Sequence, residues 1–287
     1  MQTYTKGFLI TLVGVLAITP DTLLVRLVDA DVWAQTFWRG LLTGIAILTA
    51  FVLFQRRQSV SNIQAMGLPG LWVTIIFALG NLCFLYSVTH TSIANTLFIN
   101  STSPVLAALM AWAFLKEAIS LRIWMTIGGT LVGIGIIAIG SLDRSASSQL
   151  GDFAALGSAA ALAATFSIAR AYKSVSMVPA AGMSGLLSAL IAYFLADSLV
   201  IAQEDWIWII LAGLVVVPLG FALLTTGPRY LPAPDVSLLL LLEAVFAPLV
   251  VWWLLAEHPG NYTLVGGAVV LVVMVVSNVA VLRRSPG

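Results

Sequence analysis

Residues 98–117 read FINSTSPVLAALMAWAFLKE. From Val105 to Leu115 every side chain is apolar, and the run closes on Lys116 and Glu117. Ahead of it stand Asn100, Ser101, Thr102 and Ser103, four polar side chains in a row, and then Pro104, a helix breaker. A helix that crosses a bilayer needs about 20 mostly apolar residues, each rising about 1.5 Å across a hydrocarbon core of about 30 Å. Residues 93–115 reach that length only if the polar run lies inside the span. Polar groups at that depth have to meet partners within the protein or face a wet cavity.

The rest of the chain places this stretch in lipid. Of the 287 residues, 60% are hydrophobic and 9% charged, against about 45–50% and roughly 25% in soluble domains. So few charges cannot build a soluble surface. The net charge of +1, without a basic tract, offers nothing to nucleic acid. Cys83 is the sole cysteine, so no intramolecular disulfide can form. The N-terminal MQTYTKGFLITLVGVLAITP has Lys6 ahead of an apolar run, as a signal peptide has. It lacks a small-residue cleavage site, and its apolar pattern runs on past Pro20 towards Val28, so it reads as a retained first span.

Ten segments have spanning length: 8–28, 33–54, 68–88, 93–115, 122–140, 152–172, 179–201, 206–228, 235–256 and 262–282. With the N-terminus inside, the cytoplasmic side collects Lys6, Arg56, Arg57, Lys116, Arg122, Arg170, Lys173, Arg229, Arg283 and Arg284. The other side receives Arg26 and Arg144. Ten basic residues against two favour both termini in the cytoplasm, as the positive-inside rule requires.

The decisive stretch also has an echo. Sliding the sequence by 140 residues lays 91–117 on 231–257, LPAPDVSLLLLLEAVFAPLVVWWLLAE. Trp112 then falls on Trp252, Glu117 on Glu257, Pro104 on Ala244 and Ser103 on Glu243. Gly-Gly pairs follow each copy, at Gly128-Gly129 and Gly266-Gly267. Five spans per half is an odd number, so the second half must be inverted, with the join near 142–151. The expected fold is all-α and integral to the membrane: ten helices as two inverted five-helix repeats, 1–145 and 146–287, around a central cavity.

An apolar helix ending in Glu and followed by a Gly-Gly helix, present once per half, resembles the EamA-type permeases of the drug/metabolite transporter superfamily. The first copy, SPVLAALMAWAFLKE, is close to the family's usual form. The second departs from it at Ala244, where a proline is common, and at His258-Pro259 after Glu257. The resemblance implies a helical bundle with a central cavity that moves metabolites, often outward. Among its members, the aromatic amino acid exporters look nearest.

Charged side chains within spans cost about 2.5–3.5 kcal/mol at a helix centre on insertion scales, which makes each a candidate for function. Glu243 lies eight residues into the ninth span, about 12 Å deep, with no cation on its own helix. It can bind a substrate amino group, carry a coupling proton, or pair with a basic residue elsewhere. Arg39 in QTFWRG can hold a carboxylate bidentately, or serve as a tether to a carbonyl or to Asp21. Asp21 follows Pro20 and is either at a kink in the first span or near its outer end. Asn81, Tyr86, Asn100 and Ser103 are uncharged candidates, with interhelical bonding as the competing role. Ser101 and Thr102 are expected to satisfy carbonyls that Pro104 leaves unpaired. Trp38, Phe98, Trp252 and Trp253 can line a cavity for planar substrates, or face lipid. The glycines at 128, 129, 133, 135, 266 and 267 are expected at close helix contacts, Trp206 and Trp208 at an interface, and Glu117 and Glu257 in contacts across the bundle ends.

Span count, repeat and mid-depth polar residues together favour a secondary transporter over an intramembrane lipid-modifying enzyme, a channel or an ATP-driven pump. The two histidines, His90 and His258, sit at helix ends without metal-ligand spacing, and no phosphate-binding loop is present. The expectation is a transporter in the cell inner membrane, without catalytic residues, metal or cofactor. Its partners would be a small substrate such as an amino acid, the lipid bilayer and protons. A multidrug efflux permease is the alternative within the same class.

Overall fold

The computed structural model describes residues 2–55, 59–90, 93–139, 149–247, 250 and 261–284. They form helices α1 (Gln2–Ile18), α2 (Asp21–Leu27), α3 (Val32–Gln55), α4 (Ser59–His90), α5 (Ile93–Asn100), α6 (Ser103–Leu115) and α7 (Leu121–Ile139). The second half contributes α8 (Gln149–Ala171), α9 (Val178–Leu195), α10 (Trp206–Leu211), α11 (Val217–Thr226), α12 (Ala233–Leu240) and α13 (Asn261–Arg284). Residues 243–247 are helical beyond α12. Seven stretches are long and apolar enough to cross a membrane, and Leu121–Ile136 and Leu264–Ser277 are shorter apolar helices where the fifth and tenth spans are expected. Glu257, His258, Trp252, Trp253 and residues 142–148 of the junction expected near 142–151 lie outside the described residues.

Local sequence explains where these helices bend. In α4, Gly67 takes φ 48° and ψ −144°, a conformation that L side chains avoid. It separates a short leg from the membrane segment that begins at 68, where Pro69 needs no main-chain donor. A π-helical turn, Ala212–Val216, joins α10 to α11 immediately before Pro218, whose missing N–H breaks the regular ladder. Three of the ten expected spans are interrupted: the first at Thr19-Pro20, the fourth at Ser101-Thr102 and the ninth at Leu241-Leu242.

The halves are packed through each other. Helix α3 lies along α9, α4 along α8, α1 along α11, α6 along α12 and α7 along α13. The α3–α9 seam is a main-chain contact: a Cβ on Gly40 would stand 2.6 Å from the Gly185 carbonyl, and one on Gly185 would stand 2.8 Å from that of Gly40. The α7–α13 seam repeats this, with Gly133 against the Gly266 carbonyl at 2.8 Å. Gly129 and Gly267 also sit against valines, but among the described residues nothing lies within 4 Å of where a Cβ on Gly128 or Gly135 would stand. The main apolar core lies where α1, α6, α7, α8, α11 and α12 converge.

One end of the bundle is tied by charge. Arg122 donates to both oxygens of Asp235, at 2.9 and 3.2 Å, and to Ser277 Oγ at 3.1 Å. Arg170 Nε pairs with Glu117 at 3.2 Å, the cross-bundle contact expected of that glutamate. Lys6 lies over the ring of Tyr230, and Arg229 donates to the Lys173 carbonyl. The opposite end is tied by main-chain and aromatic contacts. The Asp29 N–H donates to Asp205, and Trp206 packs edge-on against Trp38.

Candidate functional site

The three interrupted spans meet around one cavity. It admits the centres of water-sized molecules over about 120 Å³, where one water needs roughly 10–15 Å³. It therefore has room for a small organic molecule. Most of the wall is apolar, with Phe77, Phe84, Phe166 and Phe221 prominent, and Phe77 and Phe221 touch ring to ring at 4.6 Å between centroids.

The polar part of the wall holds Asp21, Arg39, Asn81, Asn100, Ser103 and Glu243, six of the eight residues expected at the site. They come from the first, second, third, fourth and ninth spans. Pro20 interrupts the first span so that Asp21 and Thr22 open α2 side by side. Asp21 Oδ1 accepts from Arg39 Nη2 at 2.5 Å, and both side chains are buried. Thr22 Oγ1 donates to Glu243 Oε1 at 3.2 Å. One turn of α2 thus links the arginine of the second span to the glutamate of the ninth. Arg39 is tethered to Asp21, yet among the described residues its Nε and Nη1 are buried without a hydrogen-bond partner, as are Asn100 Oδ1 and Thr43 Oγ1. Each buried unpaired group costs about 1–3 kcal/mol. No ion pair joins Glu243 to a cation among the described residues.

Tyr86 and Trp38 are not among the residues that line the cavity. Tyr86 stacks on His90 one turn further along α4, with ring centroids 3.9 Å apart. Trp38 points into the end of the bundle, where its indole N–H donates to the Leu199 carbonyl at 2.9 Å. Neighbouring Arg39 faces the cavity because consecutive helical positions lie about 100° apart. Phe98 is likewise on the outside. The cavity also takes hydroxyls that sequence reasoning passed over, Thr36 and Thr43 from α3, Ser158 from α8 and Ser188 from α9. A single hydroxyl in an apolar helix carries no signal that separates it from a back-bonded one.

The polar run of the fourth span behaves in part as expected. The Ser101 and Thr102 hydroxyls donate to carbonyls, those of Phe98 and Ile99. The carbonyl that Pro104 strands is that of Asn100, and neither hydroxyl reaches it.

No curated relative matches the chain. A solved crystal structure is 17% identical to this chain, and the match covers 96% of this chain and 98% of the other, with a TM-score of 0.76. At that identity the likeness concerns the fold alone. A family model, that of the EamA-like transporters, matches twice, over residues 5–139 and 149–279. With nearly all its length matched and its apolar helices gathered around a cavity, the chain belongs to the EamA-like transporter family of multi-pass membrane proteins that carry small substrates.

Proposed function

We propose that the chain is a secondary transporter that exports a small metabolite, an amino acid and in particular an aromatic one, by alternating access. The reading has ten spans in two inverted halves, 1–145 and 146–287, set in the cell inner membrane with both termini cytoplasmic. Its support is the pairing of helices. Exchanging the halves maps α3–α9 and α7–α13 each onto itself, and exchanges α4–α8 with α1–α11. The two family matches fall on the same division.

The observation that carries the site is the chain of Arg39, Asp21, Thr22 and Glu243 across three spans beside an aromatic wall. An amino acid presents an ammonium to Glu243 and an apolar side chain to the phenylalanines. Glu243 is also the group placed to exchange a proton with the cavity, which would couple transport to the proton gradient. Substituting Glu243→Gln tests this. Purified protein in liposomes should lose most of its transport and the pH dependence of what remains, at unchanged expression. Parent-like transport at every pH would refute the site.

One observation favours a second reading. Asp21 already neutralises Arg39, so the cavity holds two carboxylates against one guanidinium. That excess of acidic over basic groups suits a cationic drug. Competition by amino acids and by cationic drugs in the same liposomes separates the two.

A further inference from the structure

The fourth and ninth spans break at the same register. The interruptions at 101–102 and 241–242 are 140 residues apart, the offset that aligns the two copies of the sequence. Pro104 accounts for the first, since it has no N–H for the Asn100 carbonyl. Ala244 stands at the matching place in the second, and its N–H donates instead to Leu241. At both breaks the ladder tightens to three-residue bonds, Thr102 to Ile99 and Leu242 to Leu239. Among the described residues this leaves the carbonyls of Asn100 and Leu240 without a donor. Asn100 and Leu240 both line the cavity, and each ends an eight-residue helix, α5 or α12, whose dipole is negative at that end.

We propose that these stranded carbonyls, with Asn100 Oδ1 and the Glu243 carboxylate, form the subsite for the primary ammonium of the substrate. All are acceptors. Asn100 Oδ1 is buried without a partner, and Glu243 follows Leu240 by three residues. The complementary group is compact, positive and carries several N–H bonds, as an ammonium does. Asp21 and Arg39 are the other charged groups on the cavity wall, and they are paired with each other. The assignment rests on the transport reading and adds main-chain ligands to it. A sodium ion offers the same charge without directed donors.

The test uses three probes that share one ring: L-phenylalanine, 2-phenylethylamine with the ammonium alone, and 3-phenylpropionate with the carboxylate alone. Binding to the purified full-length protein in nanodiscs is followed by thermal shift, in sodium and in choline buffers. Both amines should bind, with 3-phenylpropionate at least roughly tenfold weaker, the size of one lost hydrogen bond to a charged group. Pro104→Ala offers the Asn100 carbonyl a donor that Ala244 withholds from Leu240, and should weaken both amines by up to roughly tenfold. Ala244→Pro leaves the Leu240 carbonyl free and should keep binding within about twofold. If Pro104→Ala does not fold, Asn100→Leu, which removes Oδ1 and keeps the break, should weaken both amines several-fold.

Binding of 3-phenylpropionate as tight as that of the amines would overturn the assignment, as would failure of both amines to bind. Amine binding unaffected by Pro104→Ala and Asn100→Leu would overturn it too. A sodium-dependent stabilisation that the amines compete away would give the carbonyls to the ion instead. Transport of an amine-free substrate would sink this assignment alone, whereas liposomes that move no member of a substrate panel would sink the transport reading.

Discussion

Replacing Arg39 by methionine removes the sole cationic partner of Asp21 in the ion pairs described, while keeping an unbranched apolar stem. Asp21 would then remain about 7% exposed beside a second carboxylate, Glu243, within electrostatic reach. Breaking a buried pair by deleting one member costs about 3–5 kcal/mol, because the survivor keeps its desolvation penalty without compensation. Deleting both charges removes that penalty, so Asp21→Asn with Arg39→Met should lie within roughly 1–2 kcal/mol of the parent. The double variant is thus expected to be more stable than the single one. The assay is thermal unfolding of the four proteins of the cycle in detergent, where a gap of a few kcal/mol corresponds to a midpoint difference on the order of 10 °C. If Arg39→Met unfolds with the parent, or with the double variant, the pair is not the buried and mutually dependent unit described.

Other outcomes follow from the packing. Gly40→Ala pushes a methyl to 2.6 Å from the Gly185 carbonyl and should cost about 1–3 kcal/mol in the same unfolding assay, whereas Gly128→Ala meets nothing and should be neutral or stabilising. Trp38→Phe should lose about 0.5–1.5 kcal/mol with its bond to Leu199 and leave the transport KM unchanged, since the indole is not on the cavity wall. Reporters fused after Ser59 and after Ser147 should label opposite sides of the membrane, and a shared side would end the inverted arrangement.

What could be read in advance depended on whether a residue's chemistry was out of place in its setting. Glu243, Arg39 and Asp21 are costly in an apolar span wherever they point, so sequence alone marks them, and the cavity takes all three. Asn100 and Ser103 stood out because a proline followed them. Thr43 and Ser188 sit in apolar helices with nothing to mark them, and only the crossing of α3 and α9 turns them to the cavity. The tie between Arg122 and Asp235 was missed for a different reason. Each residue lies near an expected helix end, where a charge needs no explanation, and 113 residues separate them. Trp38 shows the reverse error: its neighbour Arg39 faces the cavity, and a register one residue off carries the indole away from it. The break at 241–242 has no proline to announce it, and is visible only through alignment with its counterpart.

The glycine seam between α3 and α9 restricts how such a molecule can change shape. Carbonyls of Gly40, Gly182 and Gly185 lie where side chains would be on the facing helix, so the two backbones interlock like meshed teeth. Sliding one along the other would drive Leu186, already against Gly44, into the facing backbone. Pivoting about the seam meets no such obstacle. Any motion that shifts the cavity from one face of the membrane to the other is therefore confined to tilting around this line. The interrupted first, fourth and ninth spans, whose ladders are already broken, are left to bend.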